Sequence, residues 1–209
     1  MTQPAPPVTP AQRLDDAEQQ AAQEIDRILA GIAAAGITGA ALLAAAAAII
    51  AAILGPAQAA MAVGASIALD GAGRRRGTGR LQEQPIPTPI DTDVLALLED
   101  AAARIEAAEE RAAELERTRR QLHRLAVTKI HQAASSGTAM YARWLGVGLR
   151  WVTRLDGRAC VACAAMHGRR VEPGEVFAAP TGPGIPTVWP GFRGLPPIHP
   201  NCRCRVHPA

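Results

Sequence analysis

The stretches WVTRLDGRACVACAAMHGRRV (residues 151–171) and PPIHPNCRCRV (residues 196–206) contain all four cysteines of the chain. Cys160 and Cys163 form a Cys-x-x-Cys pair, and Cys202 and Cys204 follow His199 closely. A Cys-x-x-Cys turn places two thiolates on one side, and a second pair from a distant segment completes a tetrahedral zinc site. The spacing predicts a structural zinc ion bound by the four cysteines, with His199 replacing either residue of the second pair or supporting a ligand.

The segment around these cysteines has a composition that needs such a metal. Residues 146–209 contain nine glycines and nine prolines, and most of the segment is predicted to be loop. A hydrophobic core of this size does not hold so much loop unaided, whereas metal binding and folding are coupled in small modules. Zinc is therefore expected to fix the loop between the two cysteine pairs.

Two other states of the cysteines stay open, namely disulfides and free thiols. A reducing cytosol disfavours disulfides, although the cysteines can oxidise later if the protein is released from the cell. His167 is a weaker candidate ligand. Glu172 and Glu175 lie in a predicted turn, and no second motif supplies a base or an oxyanion site, so a structural metal is favoured over a catalytic one.

Short strands are predicted on either side of the first cysteine pair. The alternation of Leu149, Trp151, Thr153 and Leu155 with polar residues is typical of a strand with one buried face, and Asp156-Gly157 ends it. A second short strand is expected at residues 170–171. Together these elements predict a small α+β module over residues 146–209.

Residues 91–145 are predicted to form a long amphipathic helical region. Apolar residues follow a 4-3 spacing from Val94 to Ala126, and this spacing is broken once, at Arg119. Asp100 with Arg104 and Glu116 with Arg120 support the helix through pairs four residues apart. The helix is expected to pack on the chain's own first helix or on a partner.

The first third of the chain predicts a helical arm rich in alanine. Residues 1–10 contain four prolines and no charge, which is typical of a disordered tail, and residues 11–69 have helical composition. Between Arg27 and Asp70 there are 42 consecutive uncharged residues, more than the roughly 20 that span a bilayer. Gly55-Pro56 is expected to divide this stretch into two helical segments.

Two environments are open for the uncharged stretch. Large residues recur in pairs at multiples of seven, and such a stripe favours helices packed within a protein. Small residues between them also suit packing inside a membrane. The stripe comprises Ile25, Ile28, Leu29, Ile32, Leu42, Leu43, Ile49, Ile50 and Ile53.

A linker rich in glycine, arginine and proline is predicted at residues 70–90. It contains Arg74, Arg75 and Arg76, which can contact the phosphates of DNA or remain solvated. The chain as a whole carries a net charge of only +3, which is too small to indicate general nucleic-acid binding.

The overall composition excludes a large catalytic domain. The chain of 209 residues contains 45 alanines, and all six aromatic residues lie beyond position 140. Helices without large side chains pack closely but do not fill the core of a monomeric enzyme. The predicted fold is a mainly α N-terminal arm with long helices, followed by the small α+β module closed by zinc.

The two cysteine-containing stretches resemble the signature of the phage Mu F-like family of minor capsid, or head morphogenesis, proteins. A Trp-x-Thr strand, an acidic turn, a Cys-x-x-Cys pair, a glycine-containing strand and a His-Pro-x-Cys-Arg-Cys end follow in order. The matching residues are Trp151, Thr153, Asp156, Cys160, Cys163, Gly168, His199, Pro200, Cys202, Arg203 and Cys204. Upstream, Thr128, His131, Ala133 and Gly137 also match, whereas Lys129 stands in place of an acidic residue and Val127 in place of an arginine. The resemblance covers roughly residues 95–207.

This resemblance implies a non-enzymatic virion component at the portal vertex inside the head, present in the host cytoplasm during assembly and in some members ejected with the genome. The portal protein is the expected partner, with major capsid or scaffolding protein as further partners and an oligomer around the portal. Trp144, Trp151, Trp189 and Phe192 are candidate anchors for docking, although each also suits a core.

Two rival functions belong to other classes. The 28–69 segment suits a membrane-active ejected protein that helps DNA to cross the host envelope. His199-Pro-Asn-Cys202 superficially suggests a zinc-dependent nuclease, but the further His and Asn pattern for a catalytic metal is absent from the sequence.

Overall fold

The computed structural model describes residues 8–71, 90–157, 159–185, 188 and 192–209. It confirms a mainly helical N-terminal part followed by a small C-terminal module with a three-stranded sheet. Parts of the predicted tail and linker, with Arg74, Arg75 and Arg76, lie outside the described residues, as does Trp189. The elements are α1 (Pro10–Ala35), α2 (Gly39–Ala44), α3 (Ala46–Gly71), α4 (Ile90–Ala107), α5 (Arg111–Trp144), β1 (Leu149–Val152), α6 (Val161–Met166), β2 (Arg170–Val171) and β3 (Arg205–Pro208).

Helix α1 begins where the sequence supplies a cap. The Thr9 side chain accepts a hydrogen bond from the Gln12 backbone N–H, and the Gln12 side chain accepts one from the Thr9 N–H, so both groups are satisfied at the helix start. Most of the predicted stripe of large residues lies in the core, where Ile25, Leu42 and Ile53 are fully buried, whereas Leu43 is 42% exposed. Packing within the protein therefore accounts for the stripe in this structure.

The uncharged stretch is interrupted at a different place from the predicted one. The prediction that Gly55-Pro56 divides it was wrong, because α3 runs through Pro56 without a break. Gly55 has no Cβ to clash with the proline ring, which eases the restriction on the residue before a proline. The chain instead leaves the helix at Gly36, where φ is +119°, and Thr38 caps the next helix.

The amphipathic region forms two helices instead of one. The helix stops after Ala107 and resumes at Arg111, and the two segments then run antiparallel, with Asp93 paired to Lys129 and Arg104 bonded to Gln121. The break in the 4-3 spacing at Arg119 is no helix end, because this side chain lies within α5 and pairs with Asp26 of α1. Lys129 is almost fully buried.

Helix α5 is the central element of the bundle, and α3 packs against it at very short range. A Cβ on Gly64 would overlap the carbonyl of Ala134, and one on Gly137 would overlap the carbonyl of Met61. The two glycines therefore allow the backbones of α3 and α5 to touch. The Thr138 hydroxyl contributes a hydrogen bond of 3.0 Å to the Gly64 carbonyl.

Helix α3 is also the described helix that is long and apolar enough, by length and composition alone, to cross a membrane. In this structure α1 and α5 cover one side of it, and 39% of its most apolar 18-residue segment is buried.

The C-terminal sheet has the strand order β2-β1-β3, and both pairings are antiparallel. The predicted strands at residues 149–155 and 170–171 are present, the first of them shortened to Val152. Trp151 is fully buried and contacts Phe177 and Phe192 edge-on or tilted. Trp151 and Phe192 thus belong to the core of the module, whereas Trp144 is 62% exposed.

Candidate metal centre

The first cysteine pair is positioned by the start of α6. Cys160 is the N-cap residue, with an extended backbone, and its Sγ accepts a weak hydrogen bond of 3.4 Å from the Cys163 N–H. Cys163 lies in the first turn of the helix and is buried, while Cys160 is half-buried. The cap brings both sulfurs to the same side of the turn, as the spacing predicts.

The second group of donors is positioned by a turn just before β3. The Cys202 N–H donates to the His199 carbonyl at 3.1 Å, and Asn201 has a φ of +61°, a conformation that asparagine tolerates better than most residues. The turn directs His199 and Cys202 toward the first pair. Cys204 follows on the buried side of the segment that enters the sheet.

All five residues predicted as ligands come together. His199 Nε2 lies 3.1 Å from Cys160 Sγ and 3.2 Å from Cys163 Sγ, and Cys163 Sγ lies 3.6 Å from Cys202 Sγ. The donors form two groups that share Cys163: Cys160, Cys163 and His199, and Cys163, Cys202 and Cys204. With bonds of about 2.3 Å, two sulfur ligands of tetrahedral zinc lie about 3.8 Å apart, so the Cys163–Cys202 separation fits.

The two histidines of the module differ in how their ring nitrogens are engaged. His199 Nδ1 lies 2.8 Å from the Pro200 carbonyl, which accepts only if Nδ1 carries the proton. Nε2 then presents its lone pair to the thiols, which is the arrangement that metal-binding histidines adopt. His167 lies outside both groups, and its Nδ1 accepts a hydrogen bond from the Thr153 N–H.

The electrostatics of the buried thiols favour a cation. Hydrogen bonds with Cys202 and Cys204, together with burial, raise the pKa of Cys163 far above its usual range. The hydrogen bond with Cys163 lowers the pKa of Cys202, but the bond with Cys204 and burial outweigh it and raise that pKa to about 12. Hydrogen bonds with Cys163 and Cys202 lower the pKa of Cys204 to about 3. A thiophilic divalent ion would stabilise the thiolate forms of these sulfurs and displace their protons.

Two contacts around the donors orient them. The Thr153 hydroxyl donates to the Cys163 carbonyl at 2.6 Å and lies 3.4 Å from Cys204 Sγ. Arg203 Nη2 binds Asp156 Oδ1 at 2.8 Å, so the acidic turn after β1 is tied to the segment between the last two cysteines. The role of Thr153 escaped prediction, since the alternation of β1 shows only that this residue points inward.

The donor set fits a structural zinc ion. Three thiolates and an imidazole, or four thiolates, satisfy tetrahedral coordination, and all four cysteines are free thiols in the structure. A disulfide requires a sulfur separation of about 2.05 Å, well short of the Cys163–Cys202 distance. Residues 164–201 lie between ligands, so a bound ion would fix this loop at both ends.

The C-terminal part of the chain also matches a protein family. A family model described as "Phage Mu protein F like protein" matches residues 92–207, which include most of α4, all of α5 and the α+β module as far as His207. Neither the curated proteins nor the solved structures contain a significant match to the chain.

Proposed function

The chain belongs to the phage Mu protein F like family, and from this premise we propose that it is a non-enzymatic minor capsid protein that docks at the portal vertex inside the head. Membership in a family of phage head proteins associates the chain with the virion. In this proposal the protein docks at the portal and leaves the head with the genome.

The observation that carries the proposal is the exposed Trp144 at the end of α5. Helix α5 is continuous over 34 residues and contacts α1, α3 and α4 as well as β3, so it joins the bundle to the module. Trp144 is 62% exposed and packs edge-on against Tyr141, with ring centroids 6.4 Å apart. An exposed tryptophan on a rigid helix is typical of the anchor residue of a protein interface.

The metal centre has a structural role in this proposal. Zinc bound by Cys163 and three of the other four donors would fix the loop of residues 164–201 next to the end of α5. Both ring nitrogens of His199 already have partners, which suits a ligand more than a general base. When bound, the ion supplies cross-linking of the fold, and the docking surface stays rigid.

The experiment compares Trp144→Ala with Leu95→Ala, a variant that truncates another exposed apolar side chain, 41% exposed on α4. Binding of each full-length chain to assembled portal rings is measured, and copies per particle are counted by quantitative mass spectrometry. Loss of an anchor costs about 2 kcal/mol, or roughly thirtyfold in affinity, so Trp144→Ala particles should contain little of the protein. Unchanged portal binding by Trp144→Ala, or a native chain located away from the portal vertex in asymmetric particle reconstructions, would overturn the proposal.

A second candidate function is a membrane-active protein ejected with the genome. It is favoured by α3, whose 26 residues are long and apolar enough, by length and composition, to cross a bilayer. In that case the full-length chain should release dye from liposomes, and Ala51→Arg, an exposed position on α3, should abolish the release. A chain that binds portal rings and leaves liposomes intact would exclude it.

A further inference from the structure

The register of the C-terminal sheet places basic side chains in one row. Arg150 of β1 lies opposite Arg170 of β2 and opposite His207 of β3. Residues that are directly paired across antiparallel strands point to the same face, and alternate residues of one strand do so as well. Arg205, which is opposite Val152, therefore belongs to the same face. We call Arg150, Arg170, Arg205 and His207 the basic face.

The basic face is turned away from the core of the module. The alternate residues Leu149, Trp151 and Val206 are buried in that core. Arg150 and Arg170 are exposed, while Arg205 and His207 are half-buried where β3 meets the helices. The two exposed arginines are thus accessible to a partner.

The acidic groups near this face lie at its margins. Burial lowers the pKa of Arg205, and the negative charges of Asp15 and Glu18 in α1 partly oppose this shift. Asp15 Oδ1 also lies 4.0 Å from Arg154 Nη1. Glu172 follows β2 and its own N–H is bonded to Glu175. Among the described residues, neither Arg150 nor Arg170 has a carboxylate within ion-pair distance.

The positive charges on this face repel one another. Burial lowers the pKa of His207, and the positive charges of Arg205 and Arg150 lower it further. Like charges placed directly opposite across strands destabilise a sheet, so the pairing of Arg150 with Arg170 costs stability that a bound anion would offset. The module as a whole concentrates the charge of the chain, since residues 146–209 contain eight arginines and three carboxylates.

We propose that the basic face binds the phosphodiester backbone of duplex DNA, with Arg150 and Arg170 each contacting a phosphate. Arginine presents a planar fork of donors that matches phosphate oxygens, and Arg150 and Arg170 are paired on adjacent strands, whose backbones lie about 4.8 Å apart. No exposed aromatic side chain belongs to the row, which favours contact with the backbone over stacking on bases. Nor does the row contain an exposed large apolar residue of the kind that inserts into lipid. The inference goes beyond portal docking and holds whether or not Trp144 contacts the portal.

The test measures binding of the full-length protein to a fluorescent 30-base-pair duplex by anisotropy over a series of salt concentrations. The double variant Arg150→Gln/Arg170→Gln is compared with Arg13→Gln/Arg124→Gln, which removes two exposed positive charges from α1 and α5. Each lost phosphate contact lowers the slope of log affinity against log salt by about 0.9, so the first variant should lose close to two units of slope and roughly tenfold or more in affinity at low salt. The second variant should change little.

A third variant, Arg150→Lys/Arg170→Lys, keeps both charges and guards against misfolding as the cause of a loss. It should retain most of the slope but bind more weakly than the native chain, because lysine lacks the bidentate fork. Equal affinities and slopes for the two glutamine variants would overturn the proposal, as would a native chain that does not bind DNA. If Arg150→Gln/Arg170→Gln loses binding to anionic phosphatidylglycerol vesicles but keeps its binding to DNA, the face binds lipid, and the proposal is overturned. Portal binding measured on the same variants separates this result from the proposed docking.

Discussion

The hydroxyl of Thr128, in the middle of α5, accepts a hydrogen bond of 3.2 Å from the backbone N–H of Asn201, 73 residues further along the chain. The same hydroxyl donates to the Arg124 carbonyl at 2.7 Å, and Thr128 is 2% exposed. Asn201 lies between the ligand candidates His199 and Cys202, so this bond attaches the metal-binding turn to the helical bundle. The α5 segment and the His-Pro-x-Cys end, which are two separate parts of the region matched by the family model, meet at this contact.

Replacement of Thr128 by valine should loosen the turn without changing the volume of the core. The Asn201 N–H would lose its partner, which costs about 1–2 kcal/mol of unfolding free energy. Hydrogen exchange of residues 199–204 should accelerate, and urea unfolding should give the loss of stability. Thr128→Ser keeps the hydroxyl and removes one methyl group, so it should be destabilised by roughly 1 kcal/mol without faster exchange in the turn. Equal exchange in both variants would show that the bond does not anchor the turn.

Close packing of α3 on α5 should depend on Gly64. Gly64→Ala would drive a methyl group into the Ala134 carbonyl, and because the obstacle is backbone the helices must separate. We expect a loss of about 3 kcal/mol in unfolding free energy, measured by denaturant titration. Gly31→Ala is the control, because it lies within α1 with open space around it, and it should stabilise the chain by about 0.5–1 kcal/mol. A Gly64→Ala variant as stable as the native chain would mean that α3 and α5 do not touch at this point.

The sequence predicts those features that depend on local spacing. The ligand candidates follow from the intervals between Cys160, Cys163 and Cys202, since a thiol pair on a tight turn is a local property. The buried stripe with Ile25 and Leu42 follows from its recurrence along a helix. The strand at Trp151 follows from alternation.

Features that depend on contacts between distant segments were not predictable in the same way. Helix α3 continues through Pro56, which is buried, whereas the proline alone indicates a break. Arg119 interrupts the apolar spacing because it meets Asp26, which lies 93 residues earlier. The basic face requires the strand register, and β3 carries too few residues to be recognised from its composition.

Acid should weaken the contact between α1 and α5. The hydrogen bond from Arg119, assisted by the charge of His123, holds the pKa of Asp26 below its ordinary value of 3.8, although partial burial opposes the shift. Because the folded-state pKa is depressed, the stabilisation is present above pH 3.8 and disappears as the pH falls through the lower folded-state value. Asp26→Asn should cost up to about 1 kcal/mol at pH 7, since the group is partly exposed, and the difference from the native chain should shrink below pH 4. Asp16→Asn, an exposed change on the same helix, should show neither effect in urea unfolding at the two pH values. A difference that stays constant with pH would contradict the ion pair.

Metal content should depend on Cys163 above all other ligand candidates, because this residue belongs to both groups of donors. The native chain should bind about one zinc ion, measured by mass spectrometry under native conditions, and Cys163→Ser should fall below half of that amount. His167→Ala is the matched control outside the cluster and should keep the full zinc content.

Substitution of Co²⁺ for zinc distinguishes the two possible ligand sets. If the four cysteines are the ligands and His199 only supports them, His199→Ala should retain the tetrahedral Co²⁺ spectrum at 10- to 100-fold lower affinity. Chelation should increase hydrogen exchange across residues 164–201 while α1 and α3 remain protected, since the loop alone depends on the ion. A native chain that contains no zinc, and whose exchange does not change when a chelator is added, would show that packing of Trp151 and Phe177 suffices to hold the module.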